Sequence, residues 1–169
     1  MKTKLKSALK SLAKTVTMII IVLVVVEWWQ SRSLFKGKVQ NVFAKEKVPS
    51  IDGRLVSFNS KGTMLLYVFA PWCSVCKVSA PNLNDLDRQS LEVVALALSW
   101  KDRGDILEFV NSSGLKVPTV VGSDQQGITL GVQAFPTYFL IRDGRIVKAW
   151  AGYTTSLGIT LRSWWVGIG

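Results

Sequence analysis

The stretch from Leu91 to Trp100 (LEVVALALSW) limits the possible folds most sharply. It is an almost continuous apolar run, which suits a strand covered on both faces, and such a strand needs helices above and below its sheet. The flanking pattern supplies them. A short strand over 55–58, a Gly62 turn and a strand over 64–70 lead into Pro71-Trp72-Cys73-Ser74-Val75-Cys76. Behind that motif Ala80, Leu83, Leu86 and Leu91 recur at helical spacing, with Pro81 expected to kink or reset the helix. After the long strand, residues 102–113 read as an amphipathic helix with Ile106, Leu107, Phe109 and Val110 apolar and Gly114 as its stop. A short strand over 117–121 and a helical turn over 128–132 precede Phe135-Pro136-Thr137. Residues 137–142, Asp143-Gly144 and residues 145–150 then form a hairpin, because Asp-Gly favours a two-residue turn between strands. A last helix covers about 154–166. Alternation followed by a hairpin specifies an α/β layer fold, a mixed central sheet flanked by helices.

A chain of 169 residues accommodates one folded domain, given the usual ~100–200 residues per domain. Histidine is absent, which excludes Ser-His-Asp and Cys-His nucleophile pairs, His-ligated zinc or copper, and a histidine pH switch. The net charge of +10 is unevenly spread. Lys2, Lys4, Lys6, Lys10 and Lys14 account for five of the 21 basic residues with no acid among them, leaving 16 against 11, or +5. That remainder holds no basic run interleaved with aromatics, so nucleic acid is not an expected partner.

Directly after these lysines, Met18 to Val26 is unbroken apolar sequence, followed by Glu27 and the pair Trp28-Trp29. Leu12 to Trp29 as a helix is about 27 Å long, near the ~30 Å of a bilayer core. The expected organisation is a basic cytoplasmic tail over 1–15, one N-terminal transmembrane helix over 16–33, a polar linker over 34–48 and a domain over 49–169. A cleaved signal peptide fits less well, since Glu27, the two Trp and Arg32 crowd the position where a peptidase needs small residues. The positive-inside bias keeps the N-terminus in the cytoplasm and exports the rest. In a bacterium this means an inner-membrane anchor and a periplasmic domain, where disulfides persist.

The chain has two cysteines, Cys73 and Cys76, at the expected strand-to-helix junction. As a structural staple so small a ring stabilises by about 2 kcal/mol, against ~3 for a fifteen-residue loop. Tetrahedral zinc needs four ligands, and only two thiolates are on offer. Cu(I) held by two thiolates remains chemically open. Dithiol exchange fits best. At the first turn of a helix the leading sulfur, Cys73, faces unpaired N–H groups that favour thiolate, and Cys76, one turn on, resolves the mixed disulfide.

The run Ala70-Pro71-Trp72-Cys73-Ser74-Val75-Cys76-Lys77 with Ala80-Pro81-Asn82-Leu83, and the run Gly131-Val132-Gln133-Ala134-Phe135-Pro136-Thr137-Tyr138-Phe139, resemble the two signatures of the thioredoxin superfamily. The likeness covers about Pro49 to the C-terminus. It points to the membrane-anchored bacterial TlpA/DsbE-like branch, and within it to the suppressor-of-copper-sensitivity type D group. The resemblance implies that Cys73 attacks, Cys76 resolves and Trp72 packs beside them. It also implies a cis bond before Pro136, with Phe135 and Pro136 bordering a groove where an extended substrate segment pairs with backbone. No cofactor or metal is implied. The implied activity is thiol–disulfide exchange with cysteines of exported proteins, more often reductive, on apocytochrome c thiols or copper-stress proteins, with a DsbD-like membrane relay as electron donor. A disulfide-forming oxidase is the alternative within the same chemistry, and a Cu(I) chaperone the alternative outside it. Val117-Pro118-Thr119 resembles the second signature too, but no hairpin follows it, so Pro118 is assigned to a strand start. The chain departs from thioredoxin at Tyr67, where that protein carries a buried acid six positions before the first cysteine. This leaves the proton acceptor of Cys76 open. Ser74-Val75 likewise leaves the redox poise open within about −270 to −120 mV.

Overall fold

The computed structural model describes residues 13–19, 21–22, 25, 42–43, 47–58, 61–86 and 91–167. In chain order the elements are β1 (Val48–Pro49), β2 (Leu55–Val56), β3 (Thr63–Phe69), α1 (Ser74–Ser79), a 3-10 turn (Ala80–Leu83), β4 (Glu92–Ala97) and α2 (Arg103–Ser113). Then follow β5 (Thr119–Val121), α3 (Asp124–Leu130), β6 (Thr137–Arg142), β7 (Arg145–Ala151) and α4 (Ser156–Gly167). The five-stranded sheet runs β5-β4-β3-β6-β7, parallel across β5, β4 and β3 and antiparallel across β6 and β7. This is the mixed sheet that the alternation predicted.

Strand side chains alternate between faces, and β3 shows why the sheet needs cover on both. Leu65, Tyr67 and Phe69 join a core with Cys76, Ile106 and Phe109, whereas Met64, Leu66 and Val68 join a second core with Phe58, Leu130 and Phe139. Two residues of the segment read as linker, Val42 and Phe43, are buried in that second core, and the Phe43 ring stacks on Phe58 with centroids 3.8 Å apart. The strand expected over 55–58 shortens to β2, which pairs with β1 in a separate antiparallel ribbon.

Local chemistry sets the helix ends. Asp102 caps α2 by accepting from the N–H groups of Gly104 and Asp105, and Asp105 accepts in return from the Asp102 N–H. Gly114 closes the helix in the left-handed region at φ 67°. Ser123 and Gln126 build a second such box, so α3 starts four residues before the expected turn. Pro81 stands in the first turn of Ala80–Leu83, where its missing N–H is harmless, and it resets α1 into a tighter 3-10 turn. At the hairpin Asp143 and Gly144 both have positive φ, 48° and 73°, the geometry that twists with the strands. Pro118 immediately precedes β5, and its carbonyl accepts from the Ala95 N–H at 2.8 Å.

By itself, the N-terminal unit contributes helical residues 13–19, 21–22 and 25, with apolar side chains such as Met18 and Ile21 exposed. Among the described residues no helix is long and apolar enough to cross a membrane. Most of the span expected over 16–33 lies outside them.

Replacing Asp102 with Ala should lower the unfolding free energy by about 1 kcal/mol in a urea titration, while disulfide exchange is unchanged. A loss near zero would mean that the two bonds made by Asp102 carry no weight.

Candidate active site

Phe69 ends β3, and the turn at Pro71 and Trp72 delivers Cys73 to the N-cap of α1. There the Cys73 N–H donates to the Ala70 carbonyl at 3.0 Å and the Cys73 sulfur accepts from the Cys76 N–H at 3.1 Å. The two sulfurs are joined as a disulfide, with Cα atoms 5.2 Å apart. Their access differs. Cys73 keeps 7% of its surface exposed, and Cys76 keeps none.

Register brings the second signature to the same end of the sheet. Val68 of β3 pairs with Thr137 of β6, so Pro136 lies where the cysteine motif leaves β3. The Phe135–Pro136 bond is cis, as the resemblance implied, and Pro136 is buried. Trp72 is 67% exposed and meets the Phe135 ring edge-on with centroids 5.7 Å apart. The structure therefore assembles all five residues singled out in the sequence.

Two features were not foreseen. The indole N–H of Trp72 donates to the Ser99 carbonyl at 3.0 Å, and Ser99 adopts φ 52°, the left-handed region that few non-glycine residues occupy. The only hint available was the polar Ser99 at the end of an apolar run. The second lies beneath the cysteines. The hydroxyl of fully buried Tyr67 donates to the Cys76 carbonyl at 2.9 Å. Burial, then the neighbouring Tyr138 phenol, pushes the Tyr67 phenol far above its ordinary range. Tyr67 is thus a neutral donor, not the proton acceptor that its position left open. Tyr138, its cross-strand partner, has its ring 5.2 Å away. Burial pushes Tyr138 up to about 12, tempered by the Ser79 and Thr154 hydroxyls that face it. None of these closes a hydrogen bond of acceptable geometry with it.

Among the described residues no Asp, Glu, Lys or Arg is buried. Lys77 is exposed and lines an open groove with Trp72, Lys101, Asp105 and Glu108. No group of three or more Cys, Asp or Glu side chains that could hold a metal occurs among the described residues.

Comparison with known proteins finds thiol:disulfide interchange proteins among those the chain resembles. No family model matches the chain. It is 33% identical over 101 residues to the thiol:disulfide interchange protein HelX of Rhodobacter capsulatus, covering 57% of this chain and 56% of HelX. It is 36% identical over 88 residues to the thiol:disulfide interchange protein DsbE of Yersinia pestis, covering 50% of this chain and 46% of DsbE. The chain thus spans about half the length of these relatives. The crystal structure of StoA from Bacillus subtilis superposes with a TM-score of 0.58 at 24% identity, over 70% of this chain and 93% of StoA. The chain has a thioredoxin-like fold. Its homologues, including thioredoxins and a protein disulfide-isomerase, are thiol–disulfide oxidoreductases. In this thioredoxin-like fold the disulfide-bonded pair of Cys73-Ser74-Val75-Cys76 stands at the same strand-to-helix junction that its sequence predicted.

The buried phenols also set an alkaline limit. A tyrosine whose native pKa is raised contributes stability that is complete below its ordinary pKa of 10.0 and lost as pH climbs through the raised value, about 12 for Tyr138. Unfolding free energy should therefore fall from about pH 10 upward, and Tyr138→Phe should flatten that fall in urea titrations. An unchanged slope in the variant would refute this assignment.

Proposed function

We propose that this protein is a membrane-tethered thiol–disulfide oxidoreductase that works outside the cytoplasm and reduces disulfides of exported proteins. One observation carries the reading. The two sulfurs are inequivalent, with Cys73 reachable and Cys76 sealed, so one can attack a bulky partner and the other can act only within the protein. In the dithiol form the Cys73 thiolate attacks a substrate disulfide, and the departing substrate sulfur takes a proton. Cys76 then loses its proton and attacks the Cys73 sulfur, which releases the second substrate thiol and forms the Cys73–Cys76 disulfide. The Cys76 N–H bond to the Cys73 sulfur favours negative charge on Cys73, the sulfur that attacks first. Trp72 and Phe135 form an aromatic wall beside it, and Pro136 borders the groove for an extended substrate segment.

The names of HelX and DsbE as interchange proteins support the activity. The reductive direction rests on resemblance to the TlpA/DsbE-like branch, which also suggests a DsbD-like membrane relay as donor. Similarity to the suppressor-of-copper-sensitivity group suggests apocytochrome c thiols or copper-stress proteins as targets. The exposed apolar side chains of helical residues 13–25 that are described, with the lysines before them, support a lipid-facing anchor.

The full chain in detergent should reduce insulin disulfides. Cys73→Ser should abolish the reaction, and Cys76→Ser should accumulate a mixed disulfide visible by mass spectrometry. Binding of Cu(I) without any exchange would overturn the reading. In a glutathione titration a potential near about −270 mV supports a reductant, and one near about −120 mV overturns that direction in favour of an oxidant.

A further inference from the structure

Helix α1 buries two of its six residues, Cys76 and Ser79, and both are fully excluded from solvent. They are three positions apart, so they lie one above the other on the face turned into the core. Neighbouring buried hydroxyls have partners. Tyr67 donates to the Cys76 carbonyl, Thr137 donates to the Ala134 carbonyl at 2.7 Å, and Thr154 accepts from the Trp150 indole at 3.1 Å. The hydroxyls of Ser79 and Tyr138 have none. A buried hydroxyl without a partner is destabilising, and Ser79 lies on the same buried helix face as Cys76, whose hydrogen-bonding capacity changes during the reaction.

In the disulfide form the Cys76 sulfur bears no proton and has nothing to donate. Reduction by glutathione breaks the Cys73–Cys76 bond. Two glutathione thiols supply two electrons and two protons and leave as glutathione disulfide, while Cys73 and Cys76 become thiols. Cys76 thereby gains an S–H inside the core, on the helix face it shares with a hydroxyl that had no partner in the disulfide form. We infer that Ser79 sets the redox poise of the pair: its hydroxyl accepts from the Cys76 thiol in the dithiol state only, and so shifts the equilibrium toward reduction. The inference rests on the exchange chemistry proposed above. Tyr138 completes the arrangement, since its oxygen faces Ser79, likewise without a partner, and can accept the Ser79 proton while Ser79 accepts from Cys76.

The test is a glutathione redox titration of the full chain as wild type, Ser79→Ala, Ser79→Thr and Tyr138→Phe, with the oxidised fraction read by alkylation and mass spectrometry. Ser79→Ala should lower the equilibrium constant for reduction by roughly three- to tenfold, the size of one hydrogen bond. Ser79→Thr, which keeps the hydroxyl, should stay within about twofold of wild type by the same reasoning, and Tyr138→Phe should fall between. Urea unfolding of both forms supplies a readout that a merely structural role would not split. Ser79→Ala should weaken the dithiol form while leaving the disulfide form unchanged or firmer. An equilibrium constant unmoved or raised in Ser79→Ala, or equal losses in the two forms, overturns the inference and leaves the exchange reading intact. If wild type itself fails to equilibrate with glutathione, the exchange reading falls and this one falls with it.

Discussion

Every feature of the site depends on β3 being paired along both edges. Parallel pairing with β4 and antiparallel pairing with β6 place three chain segments at one end of the sheet: the cysteine turn leaving β3, Ser99 after β4 and Pro136 before β6. Each brings one wall. Because strand side chains alternate, a slip of one residue in either ladder would turn Tyr67 away from Cys76 and point Leu66 or Val68 at it instead. Burial on both faces prevents that slip, since it would exchange the contents of two cores. The same burial that defines the fold therefore also places the Tyr67 hydroxyl against Cys76.

What could be read from the chain was what local chemistry decides. Asp102 with Gly114, Asp143 with Gly144, and Pro81 each act on their own few residues, and the structure places a cap, a turn and a helix reset where they stand. The cysteine pair was legible for the same reason, because three-residue spacing at a helix start already joins the sulfurs. What escaped was set by pairing between distant segments. Nothing near Trp72 announces that Ser99, 27 residues on, will hold its indole, because only the β3–β4 register brings them together. Val42 and Phe43 sit in polar sequence that reads as a tether, and only the stacking partner Phe58 explains their burial. Tyr67 was noticed as a departure from thioredoxin, but its hydrogen bond to Cys76 is a tertiary contact that no spacing encodes.

The two aromatic residues at the rim divide the work with those beneath it. Trp72 is broadly exposed yet pinned at both ends, by the Ser99 carbonyl and the Phe135 ring, so the proposed substrate protein would meet a surface already in place. Preorganisation of this kind reduces the ordering cost of an encounter. A freely turning tryptophan at the same exposure would have to be immobilised each time.

Beneath the rim the site is lined by neutral hydroxyls and rings, and among the described residues no charged side chain is buried there. A buried carboxylate would interact with each charge state of the thiols through a poorly screening interior, and would itself titrate near neutral pH. Hydroxyls differ in both respects. They stay neutral across the working range, as the raised pKa of Tyr138 illustrates, and act through hydrogen bonds that reach one neighbour rather than through long-range charge. Two consequences follow for the Cys73–Cys76 pair. Its proton balance belongs to the two thiols and to solvent reaching Cys73, the less buried member. Its poise is set by which of the buried hydroxyls finds a partner in each redox state, a term that one side chain can change without altering the charge of the site.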